Sequence, residues 1–252
     1  MHKQTVIFRD LGVVDYKTAW DYQEQLLQEN VRRKSLVFNE PGSVLSTHDL
    51  PAGAQAPGLS TEHHLLFVEH PPVYTLGKSG NIENVLITEE MRSAKGIEFF
   101  RTNRGGDITF HGPQQIVGYP ILDLEKFETD IGKYLRRIEE VSILTLAEYG
   151  IEAGRSSGET GVWIDTGLPG KERKICAIGV RSSRWITMHG FALNVNTDLS
   201  HFNFIIPCGI QNKQVTSIEK ELGHKVDFEE AKGKVKRNFE RVFDVEMIDA
   251  RQ

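Results

Sequence analysis

Between residues 15 and 34, Ala19, Tyr22, Leu26, Leu27 and Val31 recur at three- and four-residue intervals among Gln, Glu and Arg. That spacing predicts an amphipathic helix with one buried face. The same period returns at 130–149, where Ile131, Tyr134, Leu135, Ile138, Val141, Thr145 and Tyr149 share a face. Two further helices are predicted near the C-terminus from capping-box starts, Thr216 with Glu219 and Asp227 with Glu230.

Elsewhere the pattern shortens to that of strands. The opening Met1-His2-Lys3-Gln4-Thr5-Val6-Ile7-Phe8-Arg9 reads as a first strand, too short and too quickly charged for a signal peptide. His64-Leu65-Leu66-Phe67-Val68-Glu69-His70 reads as a buried strand. Pro71-Pro72 interrupts it, and Val73-Tyr74-Thr75-Leu76-Gly77 resumes extended structure. Further strands are predicted at 97–102, 107–111, 116–122, 161–164, 173–181 and 184–195. Residues 41–61, rich in Pro, Gly, Ser and Ala, predict a mobile loop or insertion. Strand follows strand through the middle with helices around it, which predicts an α+β fold with a mixed, largely antiparallel sheet flanked by helices. No Pro/Gly-rich linker divides 64–218, so residues 1–252 are expected to form one domain.

Composition narrows the classes. The 252 residues are 39% hydrophobic with 13 Phe, enough for a packed core. A net charge of -5 argues against wholesale nucleic-acid binding. No apolar run approaches the roughly 20 residues that cross a bilayer. Two cysteines cannot make a disulfide framework in a chain this long, which points to a reducing, cytoplasmic setting.

Four runs carry candidate chemistry. Cys208 lies in Ile205-Ile206-Pro207-Cys208-Gly209-Ile210, an apolar stretch stopped by Pro and Gly, which predicts a sulfur presented at a bend. A nucleophilic thiol is the first hypothesis there. In Arg173-Lys174-Ile175-Cys176-Ala177-Ile178-Gly179-Val180, Lys174 opens an apolar strand. It is either an edge lysine that snorkels to water or an ammonium aimed at a thiol. Lowering a thiol pKa from about 8.5 to near 7 takes roughly 2 kcal/mol of differential interaction. Cys176, two residues on, would share the face of Lys174 in a regular strand, but its apolar neighbours point to a buried structural cysteine. Arg104-Gly105-Gly106-Asp107-Ile108-Thr109-Phe110-His111-Gly112-Pro113-Gln114-Gln115 suits either a hairpin with an incidental histidine or a wall of backbone amides around a small ligand. In Met188-His189-Gly190-Phe191-Ala192-Leu193-Asn194-Val195-Asn196, the His-Gly step inside a strand suggests close approach of the backbone to a ligand, and Asn196 is as readily a turn residue. His70 before the two prolines reads as a structural turn histidine.

Together with Glu69-His70-Pro71-Pro72-Val73-Tyr74-Thr75-Leu76-Gly77, these runs in this order resemble the lipoyl(octanoyl) transferase family, also called lipoate-protein ligase B. The resemblance spans roughly residues 11 to 223 apart from 41–61. It implies the biotin/lipoyl-ligase catalytic fold. It also implies transfer of an octanoyl group from octanoyl-acyl carrier protein to a lysine on lipoyl domains of 2-oxoacid dehydrogenases or the glycine-cleavage H protein. Cys208 would be the acyl-thioester nucleophile and Lys174 the residue that activates the thiol or the incoming amine. Arg104, Gly105, Gly106, Asp107, Ile108, Thr109, Phe110, His111, Ala177, Ile178, Gly179, Gly190, Phe191 and Ala192 would line the acyl pocket. No cofactor or metal is expected, nor a membrane or nucleic-acid partner, and a monomer is expected.

Two departures stand out: Gln114 occupies a position usually held by Gly in the family, and 41–61 is longer than expected. The main alternative is an ATP-dependent lipoate or biotin ligase of the same fold; a thiol hydrolase pairing Cys208 with a histidine is another. Acidic donors and acceptors would need a local basic surface, for which Arg155, Lys171, Arg173, Arg181 and Arg184 are candidates, though a solvated charged face explains them equally.

Overall fold

The computed structural model describes residues 3–38, 60–168, 170–206 and 214–250. Cys208, with 207–213, and most of the 41–61 segment lie outside the described residues. Among the described residues, eleven strands and five α-helices follow in the order β1 (Gln4–Val13), α1 (Tyr16–Phe38), β2 (His63–Glu69), β3 (Val73–Leu76), α2 (Glu89–Ala94), β4 (Glu98–Arg101), β5 (Ile108–His111), β6 (Gln115–Ile121), α3 (Ile131–Ala147), β7 (Val162–Ile164), β8 (Arg173–Ser183), β9 (Ile186–Asn194), β10 (Gln214–Val215), α4 (Ile218–Leu222), α5 (Phe228–Phe243) and β11 (Val245–Asp249).

The main sheet runs β10-β8-β9-β6-β2-β1-β11, with β7 also paired to β8. Its centre is antiparallel (β2 with β6, β6 with β9, β9 with β8), and its margins are parallel (β1 with β2 and β11, β8 with β10). The expected mixed, largely antiparallel sheet is what the chain builds. A second sheet, β4-β3-β5, stands apart.

Three apolar clusters follow from this layering. Helices α3 and α5 cover one face of the main sheet, where Ile138, Val141, Ile175, Cys176, Leu193, Val235 and Phe239 are all buried. Helix α1 covers the other, packing Ala19, Leu26 and Leu27 against Val117, Tyr119, Met188 and Ala192. The small sheet has its own cluster, with Tyr74, Ile108 and Phe110 against Phe202.

The helix boundaries follow capping chemistry. Asp130 caps α3 by accepting from the Lys133 N–H, and Asp227 caps α5 by accepting from the Glu230 N–H. The expected Thr216 cap is displaced by one residue: Ser217 caps α4, and the Thr216 hydroxyl instead donates to Glu221. Helix α2 and strands β10 and β11 lie beyond the sequence pattern. Asp244, left-handed at φ 52, stops α5 without a glycine and turns the chain into β11, which pairs with β1. No helix among the described residues is long and apolar enough to cross a membrane.

Candidate active site

A cavity of about 380 Å³ opens between the main sheet, the small sheet and the start of α1. That volume falls within the range of small-molecule sites, about 300–1,000 Å³. Ile178, Val117, Phe191 and Ala192 give it apolar walls, and Lys174, Arg104, Asp107, Thr109 and His111 give it polar ones. Of the residues expected there, Gly106, Ile108, Ala177, Gly179 and Gly190 also line it. Gly105 and Phe110 do not. The Gly105 N–H is bonded to the Val180 carbonyl at 2.9 Å, and the Phe110 ring stacks on His201 at 4.5 Å in the small-sheet cluster.

Lys174 reaches the cavity because of a defect in its strand. Val162 faces Cys176 while Trp163 faces Lys174, so β8 carries one extra residue, Ile175, against the Val162–Trp163 step. A β-bulge of this kind reverses the alternation of side chains. Lys174 therefore shares the cavity face with Ala177 and Gly179, while Ile175 and Cys176 both enter the α3/α5 core. The expectation that Cys176 would share the face of Lys174 fails for this reason.

Cys176 is fully buried, accepts a hydrogen bond from the Ser142 hydroxyl at 3.4 Å, and has its thiol pKa pushed up to about 12 by burial. It is a structural cysteine. Nor is Lys174 an edge lysine. Strand β8 is paired on both sides, Lys174 is buried, and its Nζ stands 4.5 Å from the centroid of the Trp163 ring.

Beneath the cavity runs a chain of buried polar groups. The Arg104 guanidinium donates to the Thr75 carbonyl and hydroxyl, to the Asp107 carbonyl at 2.9 Å and to the Gly105 carbonyl at 3.0 Å. The Thr75 hydroxyl donates to His111 Nε2, and His111 Nδ1–H donates to Gln115 Oε1 at 2.9 Å. Gln115 Nε2 then donates to Asn194 Oδ1 at 2.8 Å, and Asn194 Nδ2 to the Thr216 carbonyl at 2.9 Å. Because Gln115 Nε2 also donates to the Phe110 carbonyl, its oxygen must face His111, which fixes the proton on Nδ1.

Burial first, with the neighbouring His70 ring and the Arg104 guanidinium adding to it, pushes the His111 pKa down to about 3, so the ring is neutral. His189, held down to about 3 by burial and then Arg104, donates from Nε2 to Asn103 Oδ1 at 2.8 Å. His70 is the structural histidine the sequence suggested, donating to the Val14 carbonyl and accepting from the Tyr119 hydroxyl, both at 2.7 Å.

Within the 104–115 run, the Gly105 N–H is taken by the Val180 carbonyl and so is not offered to a ligand, and the neighbouring N–H groups of Gly77, Lys78, Ser79 and Gly80 likewise bond to carbonyls of their own chain. Gly190, besides lining the cavity, answers a strand: a Cβ there would sit 2.0 Å from the Gly118 carbonyl oxygen on β6.

Gln114 does adopt the left-handed backbone, at φ 61. Its N–H donates to Glu69 Oε2 at 2.7 Å, its carbonyl accepts from Asn196 N–H and the Thr197 hydroxyl, and its side chain accepts from Asn196 Nδ2. Four polar contacts thus hold a conformation that glycine would adopt freely. The candidate basic surface is largely compensated: Arg155 pairs with Glu139 and Glu140, Arg173 with Asp165 and Glu221, and Arg181 with Glu24.

Several cavity residues escaped the sequence reading. Tyr16, Ser79, Val117, Tyr119, Gly158, Glu159, Thr160 and His189 all line it. His189 alone had a signal, its place beside Gly190. Tyr16 opens a helix whose period marks only the face toward the sheet.

Comparison with known proteins agrees with this architecture. The family model described as the lipoyl protein ligase A/B catalytic domain matches residues 15–240. An octanoyltransferase of Flavobacterium johnsoniae is 57% identical over 241 residues, covering 95% of this chain and 97% of that protein. The chain belongs to the octanoyltransferase family. Another octanoyltransferase, of Cytophaga hutchinsonii, is 51% identical over 249 residues, covering 97% of this chain and 96% of that protein. This enzyme is accordingly an acyltransferase, which sets aside the ligase and hydrolase alternatives.

The fold extends further than the activity. A bi-partite lipoate protein ligase from Thermoplasma acidophilum superposes with a TM-score of 0.65 at 15% identity, covering 99% of this chain and 87% of that one. A lipoate-protein ligase A bound with ATP gives a TM-score of 0.65 at 13% identity, covering 99% and 89%. The octanoyltransferase therefore has the lipoate-ligase fold.

Proposed function

We propose that the octanoyltransferase takes its acyl group from octanoyl-acyl carrier protein onto Cys208 and passes it to a specific lysine of lipoyl domains, including those of 2-oxoacid dehydrogenases and the glycine-cleavage H protein. The observation that supports this most is the bulge at Ile175, which turns a buried lysine toward an acyl-sized, partly apolar cavity while keeping Cys176 in the core. The nearest described chain after Cys208 fits the assignment: Gln214 and Val215 pair with Arg173 and Lys174.

The reaction balances without ATP. Cys208 thiolate, partnered by Lys174 ammonium, attacks the donor carbonyl; the carrier's sulfur leaves and takes the lysine's proton. Lys174 is then a neutral amine beside the octanoyl thioester. The acceptor's neutral amine attacks that carbonyl, Lys174 takes the proton released, and Cys208 departs as thiolate. The thioester becomes an amide, which drives the second step. Ile178, Phe191, Ala177 and Ala192 hold the alkyl chain, and Arg104 and His111 brace the floor beneath it.

The test is transfer from purified octanoyl-acyl carrier protein to an isolated lipoyl domain in ATP-free buffer, followed by intact mass. The reading expects octanoyl-lipoyl domain to accumulate with no nucleotide. Strict dependence on ATP would overturn it.

A further inference from the structure

Behind Lys174, on the far side of its strand, stands a carboxylate that the proposed reaction does not use. Glu139 of α3 is 0% exposed. Its Oε2 pairs with Arg136 at 2.8 Å and Arg155 at 2.9 Å, while its Oε1 accepts the Gly161 N–H at 3.0 Å. Two guanidiniums neutralise the charge, so what remains for Oε1 is a fixed reach from helix to backbone.

The grip falls on a residue with nowhere to go. Gly161 sits at φ +121, and a Cβ there would lie 2.6 Å from the Cys176 carbonyl oxygen and 3.4 Å from Lys174 Cε. The methylenes of Lys174 thus lie directly over the place a side chain at Gly161 would take. Residues 158–160, immediately before it, line the cavity. Two residues after it, Trp163 bridges Gly154 in both directions and carries the ring under Lys174 Nζ.

We infer that Glu139 is a positioning residue: through Gly161 it sets where the 158–163 segment stands, and so where the Lys174 ammonium stands. The inference rests on the reading of Lys174 as partner of the Cys208 thiol. It separates reach from charge, because the two oxygens serve different partners. Glu139→Asp keeps the charge but draws both carboxylate oxygens back by ~1.5 Å, away from Gly161 and from the two guanidiniums, so variants that disturb each partner alone are needed beside it. Arg136→Met removes one ion pair and leaves the Gly161 bond alone.

The experiment follows acylation of the enzyme by octanoyl N-acetylcysteamine thioester, by rapid-quench intact mass from pH 5.5 to 9, alongside thermal unfolding. Glu139→Asp is expected to slow acylation by about 10- to 100-fold, since a misplacement of about 1 Å can cost roughly 100-fold. It is also expected to move the acidic limb of the rate profile to higher pH, as a less supported thiol requires. Arg136→Met should lower the unfolding temperature and leave rate and limb within about twofold. Gly161→Ala, which pushes the same contact from the other side, should copy Glu139→Asp and serves if that variant does not fold. An unmoved limb in both Glu139→Asp and Gly161→Ala, or an equal shift in Arg136→Met, would overturn the inference. Failure of the wild-type enzyme to take up octanoyl at all would instead overturn the reading of Lys174 and Cys208.

Discussion

The two faces of the main sheet solve opposite problems. Under α3 and α5 the face is a tight apolar core, with Phe239, Val235 and Ile138 filling it and Cys176 sealed inside. Under α1 the corresponding face is interrupted by a cavity and floored with a continuous polar chain from Arg104 through His111 to Asn194. Strand β8 serves both, and one inserted residue decides which side chain goes where. Packing density stabilises the first face; hydrogen-bond satisfaction holds the second open. Reactivity depends on that division, because a thiol in the first face is held near pKa 12.

The sharpest way to break the comparison is at the lysine. Lys174→Met should reduce acylation of the enzyme by roughly 100-fold or more at pH 7, the scale of a lost proton-transfer partner, measured by single-turnover mass. Retained acylation would mean that the cavity face owes nothing to its cation.

Next comes the floor. Arg104→Met strands the Thr75 and Asp107 carbonyls in a buried site, and unfolding by denaturant should show a loss of roughly 2–4 kcal/mol, at about 1–3 kcal/mol for each acceptor left unsatisfied. A loss under 1 kcal/mol would show that the polar chain is not what keeps the cavity formed.

The third prediction concerns pH. His63 and His70 are held down to about 4, and His111 and His189 to about 3, in each case first by burial. In the unfolded chain these imidazoles take up protons as pH falls through 6.5, while in the fold they stay neutral. The unfolded state therefore binds more protons across that window, and stability falls as pH drops from about 6.5 toward 4. Thermal unfolding at pH 7 and pH 5 should show it, and His111→Gln should flatten the slope. Equal unfolding temperatures at both values would contradict the neutral assignments.

Smallest is the core thiol. Cys176→Ala should leave transfer within about twofold and lower stability by roughly 1–2 kcal/mol through a small cavity. A large loss of activity would move the sulfur chemistry to the wrong face.

What the sequence made legible follows from where pattern and chemistry coincide. The period of Ala19, Leu26 and Leu27 marked α1, that of Tyr134, Ile138 and Val141 marked α3, Asp227 with Glu230 announced α5, and the glycine- and lysine-bearing runs named most of one cavity. The bulge stayed hidden because Ile175 is as apolar as its neighbours and nothing beside it signals an extra residue. Strand β11 stayed hidden because Asp244, not glycine, makes the turn that releases it. Glu139 was concealed on the apolar side of α3, where its partners, Arg155 and Gly161, come from a segment that only the fold brings near. Tyr16 and Tyr119 line the cavity from elements whose periodicity speaks only of packing.

The account turns on which sulfur carries the acyl group, and peptide mapping answers that directly. Wild-type enzyme would be loaded with octanoyl thioester, quenched in acid, digested and sequenced by mass spectrometry. A single octanoyl thioester on Cys208, absent in Cys208→Ser and unchanged in Cys176→Ala, is the expected result. Octanoyl on Cys176, or a label that survives Cys208→Ser, would contradict it.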